Sequence, residues 1–275
     1  MNTNTNDKVT RLHRILADIG SCVIAYSGGV DSTFLAKNAF DVLGDKALAV
    51  TATSSTYPVQ ELEDAKRFAK HIGISHLVIS SEELDIKEFI HNTPDRCYYC
   101  KKELFQKLHT IAQNHHLAFV IDGSNADDMN DYRPGARARN ELGVRSPLQE
   151  AGLTKQEIRE FSCSLHLESA EKPALACLAS RIPYGTGITK ERLKQIEAAE
   201  SYLHSLGVHQ CRVRYHSDIA RIEVTPNEVP MILTNTNAIV NRFKHLGFTY
   251  ITLDLEGYRT GSLNEVLHEH TKIVT

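Results

Sequence analysis

The sequence predicts an α/β protein: a doubly wound parallel sheet over residues 1–168, an active-site linker loop over 169–188 and a smaller α/β domain over 189–275. Three observations predict it. The apolar run Cys22-Val23-Ile24 feeds a glycine turn and then the helix-like run 33–40, which reads as strand, turn, helix. Short apolar runs then alternate with helical periods as far as Ile121, the signature of parallel β-α-β units. After residue 189 the alternation resumes over a stretch too short for a second sheet of that kind.

In order, residues 9–19 place apolar side chains at helical spacing and stop at Gly20. The run 47–52 is a buried second strand. A helix over 58–72 has Pro58 near its start and Gly73 at its end, and 76–79 is a third strand. Residues 101–115 are helical and 118–121 form the fourth strand. Thr154-Lys155-Gln156-Glu157 has the capping-box pattern and opens a helix over 154–167. The segment 171–187 is rich in turn formers and has no period, so it reads as a functional loop. Beyond it, 190–206 and 235–245 are helical, while 210–216, 220–224 and 248–255 are strands.

A chain of 275 residues with 41% hydrophobic content can bury one large core or two small ones. Its formal charge of -3 argues against a nucleic-acid partner, which normally meets a basic excess. No apolar run is long enough to cross a bilayer, and the first residues lack a signal-peptide core, so a cytoplasmic protein without membrane contact is expected. In that reducing setting the six cysteines point to metal or sulfur chemistry rather than a disulfide framework.

The glycine turn Ala25-Tyr26-Ser27-Gly28-Gly29-Val30-Asp31-Ser32 is a phosphate cradle. Gly28 and Gly29 open backbone angles that let successive amides converge on an anion at the positive end of a helix. Ser27 and Ser32 add hydroxyls. No lysine follows, unlike the common G-x-x-x-x-G-K-[ST] loop. Asp31 would repel bare phosphate, so a bridging magnesium ion is expected. The fourth strand runs into Asp122-Gly123-Ser124-Asn125-Ala126-Asp127-Asp128, where Asp127 or Asp128 can hold magnesium or orient a nucleotide. Residues 131–139 carry Arg133, Arg137 and Arg139 in what reads as a basic loop able to neutralise phosphates.

Cys97 and Cys100 form a C-x-x-C at a helix start, where the dipole and Arg96, Lys101 and Lys102 favour thiolate. Cys177 lies in the other special loop. Three cysteines in two such loops fit three ligands to one iron–sulfur cluster, leaving one iron open for sulfide; a redox dithiol and unrelated buried thiols are the alternatives. Cys22, Cys163 and Cys211 fall in strand or helix patterns and read as core. Arg212 and Arg214 alternate along a strand, which puts both guanidiniums on one face about 6 to 7 Å apart. They suit a phosphate or, in the plainer reading, a charged outer face. Arg221, Glu223 and Arg259 add to the same picture.

Residues 27–32 resemble the pyrophosphate loop of the PP-loop ATP pyrophosphatases, the adenine nucleotide alpha hydrolase-like enzymes that adenylate a carbonyl or carboxylate and release pyrophosphate. The resemblance sharpens to the LarE family of sulfur transferases, which build the nickel-pincer nucleotide. It is carried by residues 27–32, 122–123, 130–135, 180–185, 213–214, 218–223 and 252–255. It implies ATP and Mg2+ at Ala25, Ser27, Gly28, Gly29, Asp31, Ser32, Asp127 and Asp128. It also implies a pyridinium dicarboxylate mononucleotide as substrate, its phosphate gripped by Arg212, Arg214 and Arg259, with Ser180 and Arg181 near the transferring sulfur. In one branch of the family the cysteine matching Cys177 gives up its own sulfur. In the other, cysteines matching Cys97, Cys100 and Cys177 hold a 4Fe-4S cluster carrying a consumable sulfide; the presence of Cys97 and Cys100 places the expectation there. Glu200 and Glu223 are the implied ligands of a second divalent cation, although Met231 stands where some relatives have an acid. A homo-hexamer is implied as well. The rivals are transfer RNA thiolation, ammonia-dependent amide synthesis, for which the cysteines would be idle, and a non-catalytic ATP-binding module.

Overall fold

The computed structural model describes residues 3–130, 134–173, 177–259 and 261–264. The chain divides into two compact units, residues 1–89 with 94–175, and residues 90–93 with 176–275. Through residue 175 it forms α1 (Thr3–Ile19), β1 (Cys22–Ala25), α2 (Val30–Leu43), β2 (Ala47–Thr53), α3 (Val59–Ile72), β3 (Ser75–Ser80), the single turn α4 (Lys87–Ile90), α5 (Arg96–Asn114), β4 (Phe119–Ile121), α6 (Pro134–Glu141), α7 (Pro147–Ala151) and α8 (Lys155–Ser164).

The strands pair in the order β3-β2-β1-β4, all parallel, with Cys22 opposite Ala47 on one side and Phe119 on the other. Alternation along each strand divides the apolar side chains between two layers. Cys22, Ile24, Ala49 and Ile121 face a core that includes Leu12 and Leu16 of α1, Phe34 and Leu35 of α2, and Ala65 and Ala69 of α3. Val23, Val50 and Val120 face Phe105 and Leu108 of α5 and Ala138 of α6. Helices on both faces of a parallel sheet make the predicted doubly wound fold. Because β2 and β4 flank β1, the winding reverses between β1 and β4, and ligands of such sheets bind outside the carboxyl ends at that reversal. The glycine turn and Asp122-Gly123 leave the sheet there.

The basic stretch expected as a loop is helical from Pro134 onward, as α6. Asp131, Tyr132 and Arg133 lie outside the described residues. So do Ala174, Leu175 and Ala176 of the expected linker, whose earlier part is held by Arg159, donating to the carbonyls of Ala170 (2.6 Å) and Lys172 (2.8 Å).

The second unit comprises α9 (Lys190–Ser205), β5 (Cys211–His216), β6 (Ile219–Val224), α10 (Val229–Thr234), α11 (Thr236–His245) and β7 (Tyr250–Leu253). Its sheet runs β5-β6-β7, antiparallel then parallel. Val213, Ala220, Ile222 and Val224 meet Leu203, Ile239, Phe243 and Phe248 in a second core. Residues 90–93 join this unit through Asn92, whose Nδ2 reaches the carbonyls of Ile182 (3.1 Å), Pro183 (2.8 Å) and Thr186 (3.0 Å). Among the described residues no helix is long and apolar enough to cross a membrane.

Candidate active site

The glycine turn is built by its own side chains. Ser32 Oγ accepts from Ser27 N (3.2 Å), bonds Ser27 Oγ (3.1 Å) and donates to Gly29 O (3.2 Å), folding the loop back on the start of α2. The first helical bond is Thr33 N to Gly29 O at 2.9 Å, so the amides of residues 30–32 precede the ladder and face the loop end. Gly28 has φ 64°, and a Cβ there would stand 2.8 Å from Ala65 Cα and Cβ. Only glycine lets the turn lie against α3. Gly123 is comparably close: its Cβ would fall 3.1 Å from Ser32 N. Tyr57 Oη donates to Ser27 O at 2.6 Å from the loop after β2.

Asp31 is held in this corner by a salt bridge from Lys155 Nζ to its Oδ2. Its Oδ1 is buried with no hydrogen bond. Burial raises the Asp31 pKa, opposed by the Lys155 charge and reinforced by that of Asp128. Asp127 Oδ2 accepts from Lys155 N (2.8 Å) and Asp128 Oδ2 from Asn125 N (3.0 Å), so the loop after β4 and the start of α8 share one acidic corner with Asp31. A shielded carboxylate oxygen lacking a donor, beside two further acids, is a donor set suited to a hard divalent cation.

Cys97 and Cys100 sit three residues apart in the opening turns of α5, on one helical face; Cys97 is exposed and Cys100 half-buried. Lys101 lies over the Phe105 ring at 5.5 Å and Lys102 donates to Tyr98 Oη at 3.1 Å. Cys100 Sγ donates to an acid, Glu83 Oε2, at 2.8 Å. Cys22 and Cys211 are wholly buried, as expected of core; Cys163 is exposed, since the outer face of α8 carries it, and so is Cys177. Cys97 and Cys100 belong to the first unit and Cys177 to the second. None of the six cysteines is in a disulfide, and among the described residues no three His, Cys, Asp or Glu side chains stand together as a metal-holding group. Two thiols one turn apart at a helix start nonetheless have the donor chemistry of a metal–thiolate site.

In the second unit, Cys177 precedes a 3-10 turn, Leu178–Arg181. Arg181 is 1% exposed and forks onto Glu200, Nε to Oε1 at 2.9 Å and Nη2 to Oε2 at 3.0 Å, while its Nη1 donates to Cys177 O (3.2 Å) and Ser180 Oγ (3.0 Å). The β5–β6 register sets Arg212 opposite Glu223 and Arg214 opposite Arg221, so all four share the face away from the apolar core. That face is not a solvated one: Arg212 and Arg214 are buried and Glu223 is fully so. Arg214 forks onto Glu223 (2.9 and 2.8 Å) and donates to Ser180 O and Ser262 Oγ, both at 2.8 Å. Arg212 donates to Cys211 O (2.7 Å) and lies over the Tyr258 ring; burial, then the Arg181 charge, lowers its pKa. Arg259 pairs with Glu256 at 2.9 Å. Glu200 and Glu223 thus spend both carboxylate oxygens on guanidiniums.

Sequence reasoning missed Lys155, Glu83, Tyr57 and Asn92. Lys155 alone carries a signal in the sequence, since it stands inside the capping box.

A parallel sheet with an S-G-G-x-D-S turn and a cluster of acids at its carboxyl edge defines an enzyme of the PP-loop, ATP-dependent class. The NAD synthase family model matches residues 8–112. The chain is 45% identical to an uncharacterized protein of Synechocystis sp., over 94% of this chain and 98% of that protein. It is 41% identical to the pyridinium-3,5-bisthiocarboxylic acid mononucleotide synthase of Lactiplantibacillus plantarum, over 94% of this chain and 95% of that one. The tRNA-specific 2-thiouridylase MnmA of Caulobacter vibrioides is more distant, 29% identical over 70% of this chain and 62% of that protein. The chain belongs to the family of that mononucleotide synthase, the LarE sulfur transferases.

Proposed function

We propose that the protein adenylates a carboxylate of pyridinium-3,5-biscarboxylic acid mononucleotide with ATP and converts it to a thiocarboxylate. The observation that carries this is the glycine turn at the sheet reversal with Asp31 beside it, in a chain that shares nearly its whole length with a curated pyridinium mononucleotide synthase. The amides and hydroxyls of residues 27–32 grip the ATP phosphates at the positive end of α2. Magnesium held by Asp31, Asp127 and Asp128 would neutralise phosphate charge. A substrate carboxylate oxygen attacks the α-phosphorus, the α–β anhydride bond breaks and pyrophosphate leaves. A sulfur nucleophile then attacks the acyl carbon and displaces AMP. Cys97, Cys100 and Cys177 would hold a 4Fe-4S cluster, whose contribution is a sulfide bound at its open iron. Arg212 and Arg259 bind the mononucleotide phosphate, and Arg214 presents Ser180 toward it. Our reading puts the reaction in the cytoplasm, in a homo-oligomer.

Incubating anaerobically purified protein with ATP, Mg2+, sulfide and the dicarboxylate mononucleotide tests the reading. Pyrophosphate release that depends on the mononucleotide, with a thiocarboxylate product in the mass spectrum, is the expected result. Turnover with bulk transfer RNA but not with the mononucleotide would replace it with RNA thiolation. A preparation free of iron that turns over repeatedly would remove the cluster, and conversion of Cys177 to dehydroalanine would put the protein in the sacrificial branch.

A further inference from the structure

We infer that Tyr57 is a positioning residue for the glycine turn, its hydroxyl turning the Gly28 amide toward the phosphates of ATP. The inference rests on the nucleotide reading of that turn. Tyr57 lies half-buried in the loop between β2 and α3, and its Oη donates to Ser27 O at 2.6 Å. Burial, reinforced by the charge of Glu61, raises the pKa of the phenol, so the hydroxyl keeps the proton it donates. The loop itself is fixed. Tyr57 N donates to Ser54 O (3.2 Å), Ser54 Oγ and Thr56 Oγ1 donate to Oε1 of the buried Glu83, and Pro58 is the N-cap residue of α3.

In a trans peptide the carbonyl and the N–H that follows it point in opposite directions. A hydrogen bond that draws Ser27 O to Tyr57 therefore sets the direction of the Gly28 N–H. Gly28 is buried, yet its N–H donates to no group among the described residues. An amide so placed is costly unless a ligand or water meets it. The restraint is needed because Gly28 has φ 64°, and glycine leaves the flipped peptide open as well, which would turn a carbonyl oxygen on the anion in place of an amide. The preceding peptide is held by the same device: Thr51 Oγ1 donates to Tyr26 O at 2.8 Å and is bonded by His76 Nε2 at 2.8 Å, while Ser27 N, opposite, donates to Ser32 Oγ. Two successive carbonyls are thus drawn off by side chains of β2 and the loop after it, and the amides that follow point away from them.

Tyr57→Phe keeps the ring and removes only the hydroxyl; Tyr57→Leu removes the ring as well. Calorimetry on the whole chain with Mg2+ present compares ATP, pyrophosphate and adenosine. In Tyr57→Phe, ATP and pyrophosphate bind about three- to tenfold more weakly, the scale of one neutral hydrogen bond, while adenosine affinity and the melting midpoint of the nucleotide-free protein stay at wild-type values. Tyr57→Leu weakens pyrophosphate no further. Wild-type affinity for ATP and pyrophosphate in Tyr57→Phe overturns the assignment. So does an equal loss for adenosine, which would make Tyr57 a contact of the base or a merely structural residue, and so does a much larger loss of pyrophosphate in Tyr57→Leu, which would move the effect from hydroxyl to ring. Wild-type protein that binds neither ATP nor pyrophosphate would remove the nucleotide reading and this assignment together.

Discussion

At the scale of single residues the fold tolerates little at the glycine turn. Gly28→Ala places a methyl 2.8 Å from backbone and side chain of Ala65, at a φ of 64° that L-residues rarely adopt. The loop must move off α3, so ATP affinity measured by calorimetry is expected to fall by tenfold or more, with melting lowered by a few degrees. The buried pairs behave differently. Removing the Glu223 side chain leaves Arg214 buried and uncompensated, and a loss of about 3–5 kcal/mol in urea unfolding is expected for Glu223→Ala. The shared face of Arg212 and Arg214 was legible, because strand alternation is local arithmetic. Their burial was not, since it depends on which acids the β5–β6 register brings opposite. Glu83 had no signal at all: in Ser80-Ser81-Glu82-Glu83-Leu84-Asp85 it looks like any solvated acid.

At the scale of elements, α8 shows how a local signal reaches the site. Thr154 Oγ1 accepts from Glu157 N, Glu157 Oε2 accepts from Thr154 N at 2.9 Å, and Lys8 pairs with Glu157 at 2.8 Å. Thr154→Ala should cost about 1 kcal/mol in chemical denaturation. Because this turn carries Lys155 to Asp31, it should also weaken ATP binding, whereas a helix with no part in the site would lose only stability. Helices with caps and full periods, such as α3 and α8, were legible. Arginine-rich α6 was not, because its opening Pro134-Gly135 imitates a loop; proline is well suited to the first turn of a helix, and Gly135 is packed close to Lys101 of α5. The five residues of α7 are too few to show a period.

At the scale of the molecule, acid is the informative perturbant. Burial acts to raise the pKa of Asp64, but hydrogen bonding and charge from Lys172 win and lower it; Lys8 and the Thr154 cap do the same for Glu157, and Thr225 with backbone amides for Glu228. Each folded pKa lies below its unfolded value, so the stability these groups add is complete above about pH 4–4.5 and is lost as pH falls through the folded values. Burial also holds His76 and His216 below the usual imidazole range, so urea midpoints should begin to decline below about pH 6.5 and drop further below about pH 4–4.5. Lys172→Met, which removes one cationic partner from Glu61 and from Asp64, should start less stable at neutral pH and lose less on acidification. The parallel sheet was legible because each β-α-β unit is contiguous. The assignment of residues 90–93 to the second unit was not, because the amide of Asn92 bonds carbonyls ninety or more positions away. That borrowing makes the carboxy-terminal unit non-portable. A fragment cut as 176–275, or grafted whole onto another scaffold, leaves its keystone amide behind, and the segment following Ser180 and Arg181 loses three anchors at once; a transplant keeps its shape only if the tetrapeptide 90–93 travels with it.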